Sequence, residues 1–154
     1  MAGPRDEIRA AIVDAHQELL DALDAMTPEE MLLPSPNEGW TAKDTLAHLS
    51  SIEARQRGQV RSVLDGQPFP GGDVNDYNVH EVAQRRARTL PELRAELERE
   101  SAATIALLDG LRDDELSREF DHPRRGRIPV SGILQTIPNH VRNHTADIKA
   151  TKKQ

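Results

Sequence analysis

The sequence predicts an all-α protein built as one four-helix bundle, on three observations. Four stretches repeat apolar residues at steps of three and four, no strand-period alternation of useful length occurs, and 154 residues is the size of a single domain that buries a core without staples. With no internal repeat, low-complexity tract or linker between two cores, one unit over residues 1–154 is expected.

The first helix is predicted from Arg5 to Met26, because Ile8, Ile12, Ala15, Leu19, Leu23 and Met26 share one face, and Thr27-Pro28 closes it. Pro34 to Trp40 (PSPNEGW) is a turn by composition. Thr41, followed three residues later by Asp44, is a capping-box pattern that opens a second helix reaching Leu64. Its apolar arc holds Ala42, Leu46, Leu49, Ile52, Val60 and Val63, and Asp65-Gly66 with the prolines that follow ends it. A crossover then runs to Arg88, far longer than the ~2 to 8 residues usual between bundle helices, and a short helix is expected within it near Asn78 to Arg86.

A second capping box, Thr89 to Glu92, opens the third bundle helix, which carries Leu90, Leu93, Leu97, Thr104, Leu108 and Leu111 and ends near Gly110. Asp121 to Pro129 reads as a loop or short hairpin. The fourth bundle helix has Val130, Ile133, Ile137, Val141, His144 and Ile148 in register. Pro138 inside it either kinks the helix or marks a start after Thr136.

Composition narrows the function. With 26 acidic against 20 basic side chains the net charge is −6, and the aromatic set is Trp40, Phe69, Tyr77 and Phe120 alone, so neither phosphate neutralisation nor base stacking is expected and nucleic acid is excluded as a partner. Cysteine is absent, which removes disulfides, thiolate metal ligands and a protein thiol nucleophile; thiol chemistry would need an outside thiol. The N-terminal residues lack the apolar core of a signal peptide and no run reaches the length of a membrane span, so a cytoplasmic protein without membrane association is expected.

The histidines carry the chemical information. His140 and His144 fall inside the apolar arc of the fourth bundle helix and, at i and i+4, stack on one face where both imidazoles can reach one ion. They could equally bond a buried carbonyl and the bundle edge. His48 sits at the margin of the arc of the second helix, and across a core of ~8 to 10 Å it can converge with the other two; three protein nitrogens and an open position is the arrangement of catalytic zinc. Its alternative is a boundary residue bonded within its own helix. Asp44 is explained by capping, and four residues before His48 it could also orient that ring. His80, in the crossover, is a candidate for the wall of the site. His16 and His122 are expected in solvent, and the runs Arg85, Arg86, Arg88 and Arg124, Arg125, Arg127 read as solvated faces that could steer an anion. No Ser-His-Asp pattern, phosphate-cradling glycine loop or pair of catalytic carboxylates is present.

The segments GWTAKDTLAHL (Gly39 to Leu49) and NHVRNHTADI (Asn139 to Ile148) resemble the two signature segments of the DinB-like superfamily, which includes YfiT-like metal-dependent hydrolases, mycothiol-dependent maleylpyruvate isomerases and bacillithiol transferases. The resemblance extends to the turn at Met26 to Met31 and to RTLPELRAEL (Arg88 to Leu97), and its most specific part is Trp40, Asp44 and His48 joined to the distal His140 and His144. It implies a bundle of up-down-down-up order, commonly a homodimer, with zinc or nickel held by His48, His140 and His144. It also implies a small-molecule substrate treated by hydrolysis or by transfer of a low-molecular-weight thiol such as mycothiol or bacillithiol. Neutral ligands leave the ion's charge uncompensated and bring a coordinated water to a pKa of ~7. A non-catalytic dimeric bundle that sequesters a small molecule is the alternative.

Overall fold

The computed structural model describes residues 3–151. The chain forms α1 (Pro4–Asp24), a 3-10 turn (Glu30–Leu32), α2 (Ala42–Leu64), α3 (Val74–Arg85), α4 (Leu90–Gly110), a one-turn α5 (Asp113–Leu116), the hairpin strands β1 (Glu119–His122) and β2 (Gly126–Pro129), and α6 (Val130–Thr151). Both expected capping boxes are formed, Thr41 with Asp44 on α2 and Thr89 with Glu92 on α4. The expected turn or hairpin is an antiparallel hairpin that pairs Phe120 with Ile128. Pro138 is buried inside an α6 that starts at Val130, so it does not mark the start of that helix.

Contacts along the helices fix their directions. Arg5, at the start of α1, donates to the Leu108 carbonyl near the end of α4 at 2.6 Å, and Arg94, early in α4, pairs with Asp24 at the end of α1, so these two run antiparallel. Ser50 and Arg57 of α2 bond the Leu93 and Glu100 carbonyls of α4, so these two run parallel, and Arg142 of α6 pairs with Glu18 of α1. Asn37, just before α2, bonds Asp147 late in α6, and His48, in the second turn of α2, meets His140 at the middle of α6, so α2 and α6 run antiparallel. The order is up-down-down-up.

Two consecutive parallel helices demand that the chain travel back the length of the bundle, and α3 makes that journey. Its 12 residues cover about 18 Å along α2. Tyr77 Oη donates to the Ser51 carbonyl at 2.9 Å, and Lys43 Nζ donates to the Arg86 carbonyl at 3.0 Å just beyond the end of α3. This helix begins at Val74, earlier than the sequence reading placed it, because the Asp73 carboxylate accepts the Asn75 and Asp76 amides and caps it.

The predicted apolar faces meet in one core, with Ile12, Leu19, Leu46, Leu49, Leu97, Leu108, Leu134, Ile137 and Ile148 almost wholly removed from water. One polar cluster is buried with them. His16, expected in solvent, is 6% exposed and faces Glu53, which is 1% exposed. Its Nδ1 donates to the Ile12 carbonyl at 2.9 Å, its Nε2 lies 2.8 Å from Glu53 Oε2, and Thr104 Oγ1 donates to Glu53 Oε1 at 2.7 Å. The ring escaped the sequence reading because its partner, a lone Glu on α2, carries no signal until the helices are packed.

Burial alone would lower the His16 pKa, but the hydrogen bond and charge of Glu53, helped by the Ile12 carbonyl, raise it above 6.5. Its contribution to stability is therefore complete below pH 6.5 and is lost as pH rises through the higher folded value. Urea unfolding from roughly pH 6 to pH 9 is expected to show that decline in the wild type and not in His16→Gln; equal slopes would mean a neutral ring in the folded protein. Glu53→Gln, after which burial leaves the ring neutral, is expected to cost about 1 to 3 kcal/mol through loss of the charge-assisted hydrogen bond, read from the same urea titrations.

Candidate metal centre

The site forms where the first turns of α2 approach the middle turns of α6. His48 is 2% exposed, and His140 and His144 are half-buried, one above the other on α6. The Nε2 atoms of His48 and His140 are 3.1 Å apart, and one ring nitrogen from each of the three residues lies within 4.8 Å of the others. Nitrogens sharing a tetrahedral zinc ion stand about 3.3 Å apart, so small side-chain adjustments would gather this set. Pro138 does not carry His140 out of reach.

Outer contacts set the ring orientations. His144 Nδ1 donates to Asp147 Oδ2 at 3.1 Å, which leaves its Nε2 lone pair for the site, and Asn37 Nδ2 donates to the same carboxylate oxygen at 3.2 Å. Asn37 is placed by the tight loop before α2: Ser35 Oγ accepts the Asn37 amide, and Gly39, at φ +84°, takes a left-handed turn that an L side chain would resist. Trp40 stands against the His48 ring, with centroids 5.2 Å apart.

The surroundings keep the rings neutral. Burial, followed by the neighbouring His140 and His144 charges, pushes the His48 pKa down to about 3. Burial and His144 take His140 to about 4 against the opposing pull of Glu53, and burial lowers His144 although Asp147 opposes it. Three uncharged imidazoles are the protonation state a divalent ion requires, so the donor set fits such an ion.

The structure separates the remaining candidates. Asp44 accepts the Thr41 amide at 3.1 Å and pairs with Arg86, while His48 Nδ1, the atom it would have to orient, is buried without a partner; Asp44 caps its helix and does not hold the ring. His80 is exposed, bonded to Gln84 at 2.9 Å, and does not wall the site. Its neighbours do. The cavity of about 440 Å³ over the three histidines is lined from α3 by Asn75, Asn78 and Val79, whose i, i+3, i+4 spacing shares one face and turns His80 away.

His122, expected in solvent, is half-buried against Phe69, and its Nδ1 accepts the Arg124 and Arg125 amides across the hairpin turn. Arg85 and Arg88 are committed to Glu81 and Glu96, so that run is a set of ion pairs. Asp147 and Asn37 were missed by the sequence reading. Asp147 carries a signal, three residues after His144 on the same helix; Asn37 carries none, because only the folded loop brings it there.

The family model of the DinB superfamily matches residues 11–148, and the chain belongs to that superfamily. Among curated proteins, none matches it at a significant level of sequence similarity. Among solved structures it is similar to the mycothiol-dependent maleylpyruvate isomerase, at 19% identity and a TM-score of 0.81 over 95% of this chain and 61% of the isomerase, so it spans about three fifths of that protein. It is also similar to YfiT from Bacillus subtilis, described as a probable metal-dependent hydrolase with an unusual four-helix bundle topology, at 21% identity and a TM-score of 0.75 over 97% of this chain and 86% of YfiT.

The colibactin self-resistance protein ClbS, solved in complex with a dsDNA, is 15% identical with a TM-score of 0.77 over 97% of this chain and 96% of ClbS. These likenesses show the shared fold. The ClbS complex bears against the exclusion of nucleic acid drawn from net charge, since a protein of this fold holds duplex DNA. No helix among the described residues is long and apolar enough to cross a membrane.

Because the unfolded chain takes up protons near pH 6.5 that the buried rings of His48 and His140 refuse until about pH 3 to 4, metal-free protein is expected to lose stability as pH falls below 6.5. The slope is about 1.4 kcal/mol per pH unit for each ring. Denaturant titrations of the wild type and His48→Leu check this, the variant showing the shallower slope. Asp147→Asn is expected to weaken zinc affinity by about 10- to 100-fold, measured by chelator competition, without loss of helix content.

Proposed function

We propose that this protein is a divalent-metal-dependent enzyme that acts on a small molecule, with His48, His140 and His144 as the protein ligands. The observation that carries the reading is the convergence of three neutral ring nitrogens, within 4.8 Å of one another, at the base of a cavity. Three imidazoles leave a tetrahedral ion one position, whereas a structural zinc site is closed by four protein groups. A zinc or nickel ion there supplies Lewis acidity, which lowers the pKa of a coordinated water or thiol toward neutrality.

The chain's own residues have distinct parts in this reading. His48, His140 and His144 hold the ion; Asp147 keeps His144 turned toward it; Asn37 keeps Asp147 in place; Trp40 backs the His48 ring. The reaction is attack on an electrophilic small molecule by water or by a low-molecular-weight thiol, with mycothiol and bacillithiol as the thiols to test. The absence of Cys means that any thiol comes from outside the chain. YfiT, described as a probable metal-dependent hydrolase, and the mycothiol-dependent isomerase support the two routes by analogy of fold. A cytoplasmic homodimer over one bundle domain belongs to the same reading.

Elemental analysis of purified protein tests it. About one equivalent of zinc or nickel is expected in the wild type, with loss of most of it in each of His48→Ala, His140→Ala and His144→Ala. Turnover of a panel of electrophiles, with and without added thiol, is expected only in the loaded protein. Metal without turnover of any electrophile would favour a bundle that sequesters its ligand, and a wild type that takes up no metal would overturn the reading.

A further inference from the structure

The cavity above the histidines has a wall of consistent chemistry. Beyond the three rings it is lined by Asn37, Asn75 and Asn78, by Glu38, and by the apolar Trp40 and Val79. No lysine or arginine is among its lining residues as described. The arginines of the neighbouring elements are engaged elsewhere: Arg86 with Asp44, Arg55 with the Gly72 carbonyl and the face of Tyr77, Arg142 with Glu18. The carboxylate of Asp147 lies behind His144.

An anionic ligand tail wants charge-assisted N–H donors, and desolvating it beside carboxamides and a carboxylate is unfavourable. Carboxamides instead offer a donor and an acceptor without charge, which suits hydroxyl, amide and ammonium groups. Asn78 is among the lining residues and its Oδ1, buried at the edge of the wall, has no hydrogen-bond partner within the protein, so a small side-chain rotation would bring an unspent amide to a ligand. Val79, 64% exposed at the rim, adds an apolar surface that the bundle itself does not cover.

Resting on the metal-site reading above, we infer that the substrate of this site is non-anionic: beyond the reacting end it is neutral or cationic, carries hydrogen-bonding hydroxyl, amide or ammonium groups, and is recognised by Asn75, Asn78 and Glu38. The ion would accept an anionic head in any such site. Discrimination therefore lies in the rest of the molecule, which meets the α3 face and the loop before α2.

The test holds the metal-binding head constant and varies the tail. Hydroxamates of matched size with an ammonium, a primary amide or a carboxylate tail are titrated calorimetrically into the zinc-loaded full chain, with zinc content measured before and after. The ammonium and amide tails are expected to bind at least about tenfold more tightly than the carboxylate tail. Glu38→Gln is expected to reduce the ammonium preference by about threefold, as befits an exposed rim charge. Asn78→Leu is expected to weaken the amide tail by about five- to tenfold with zinc content unchanged. Equal or tighter binding of the carboxylate tail by stoichiometrically loaded protein overturns the inference and leaves the metal site standing. Failure to take up zinc overturns both.

Discussion

The direction of α2 relative to its neighbours governs both the architecture and the site. Because α2 and α4 run parallel while α2 and α6 run antiparallel, the loop before α2 stands beside Asp147 late in α6, and the second turn of α2 brings His48 to His140 and His144 at the middle of α6. The same parallel pairing obliges the chain to return along the bundle after Leu64. The segment that makes the return is α3, and its cavity-facing side, Asn75, Asn78 and Val79, closes the pocket above the histidines. An up-down-up-down bundle with short loops would have had neither this apposition nor the extra helix.

The interior holds two histidine arrangements with opposite electrostatics. His16 has a carboxylate 2.8 Å away and a carbonyl on its other nitrogen, so its charged form is favoured although it is buried. His48 and His140 have each other as neighbours, and their rings give up the proton long before neutral pH. Burial acts in the same direction on all of them; the nearest partner decides the outcome. Thus the bundle keeps a hydrogen-bonded His16–Glu53 pair where α1, α2 and α4 meet, and neutral rings at the three-histidine cluster.

Most of the fold was legible because helices announce themselves through period and caps. The faces of α1, α2, α4 and α6 and both capping boxes follow from spacing in the chain, and the inward placement of His140 and His144 follows from the arc they share with Ile133, Ile137 and Val141. What was illegible depends on partners distant in sequence. His16 looks solvated until Glu53 is seen, and Asn37 looks like a turn residue until Asp147 is beside it. His80 illustrates a phase error: without recognising Asp73 as the cap, the rotation of α3 could not be assigned, so the residue with the most suggestive chemistry was chosen in place of its neighbours on the cavity face.

This division bears on how a shared fold supports different chemistries. The three histidines sit on the two longest helices, interleaved with the buried core residues Leu49, Ile137 and Val141, where substitution would disturb the core. The wall sits on α3 and on the loop around Gly39, whose exposed residues contribute little to core packing. Residues on these rigid elements and a surface on peripheral ones can change independently: the wall can be rewritten without moving the three histidines. In this chain the wall is polar, weakly acidic and without a cation among its described residues, so its selectivity is written in α3 rather than in the histidines.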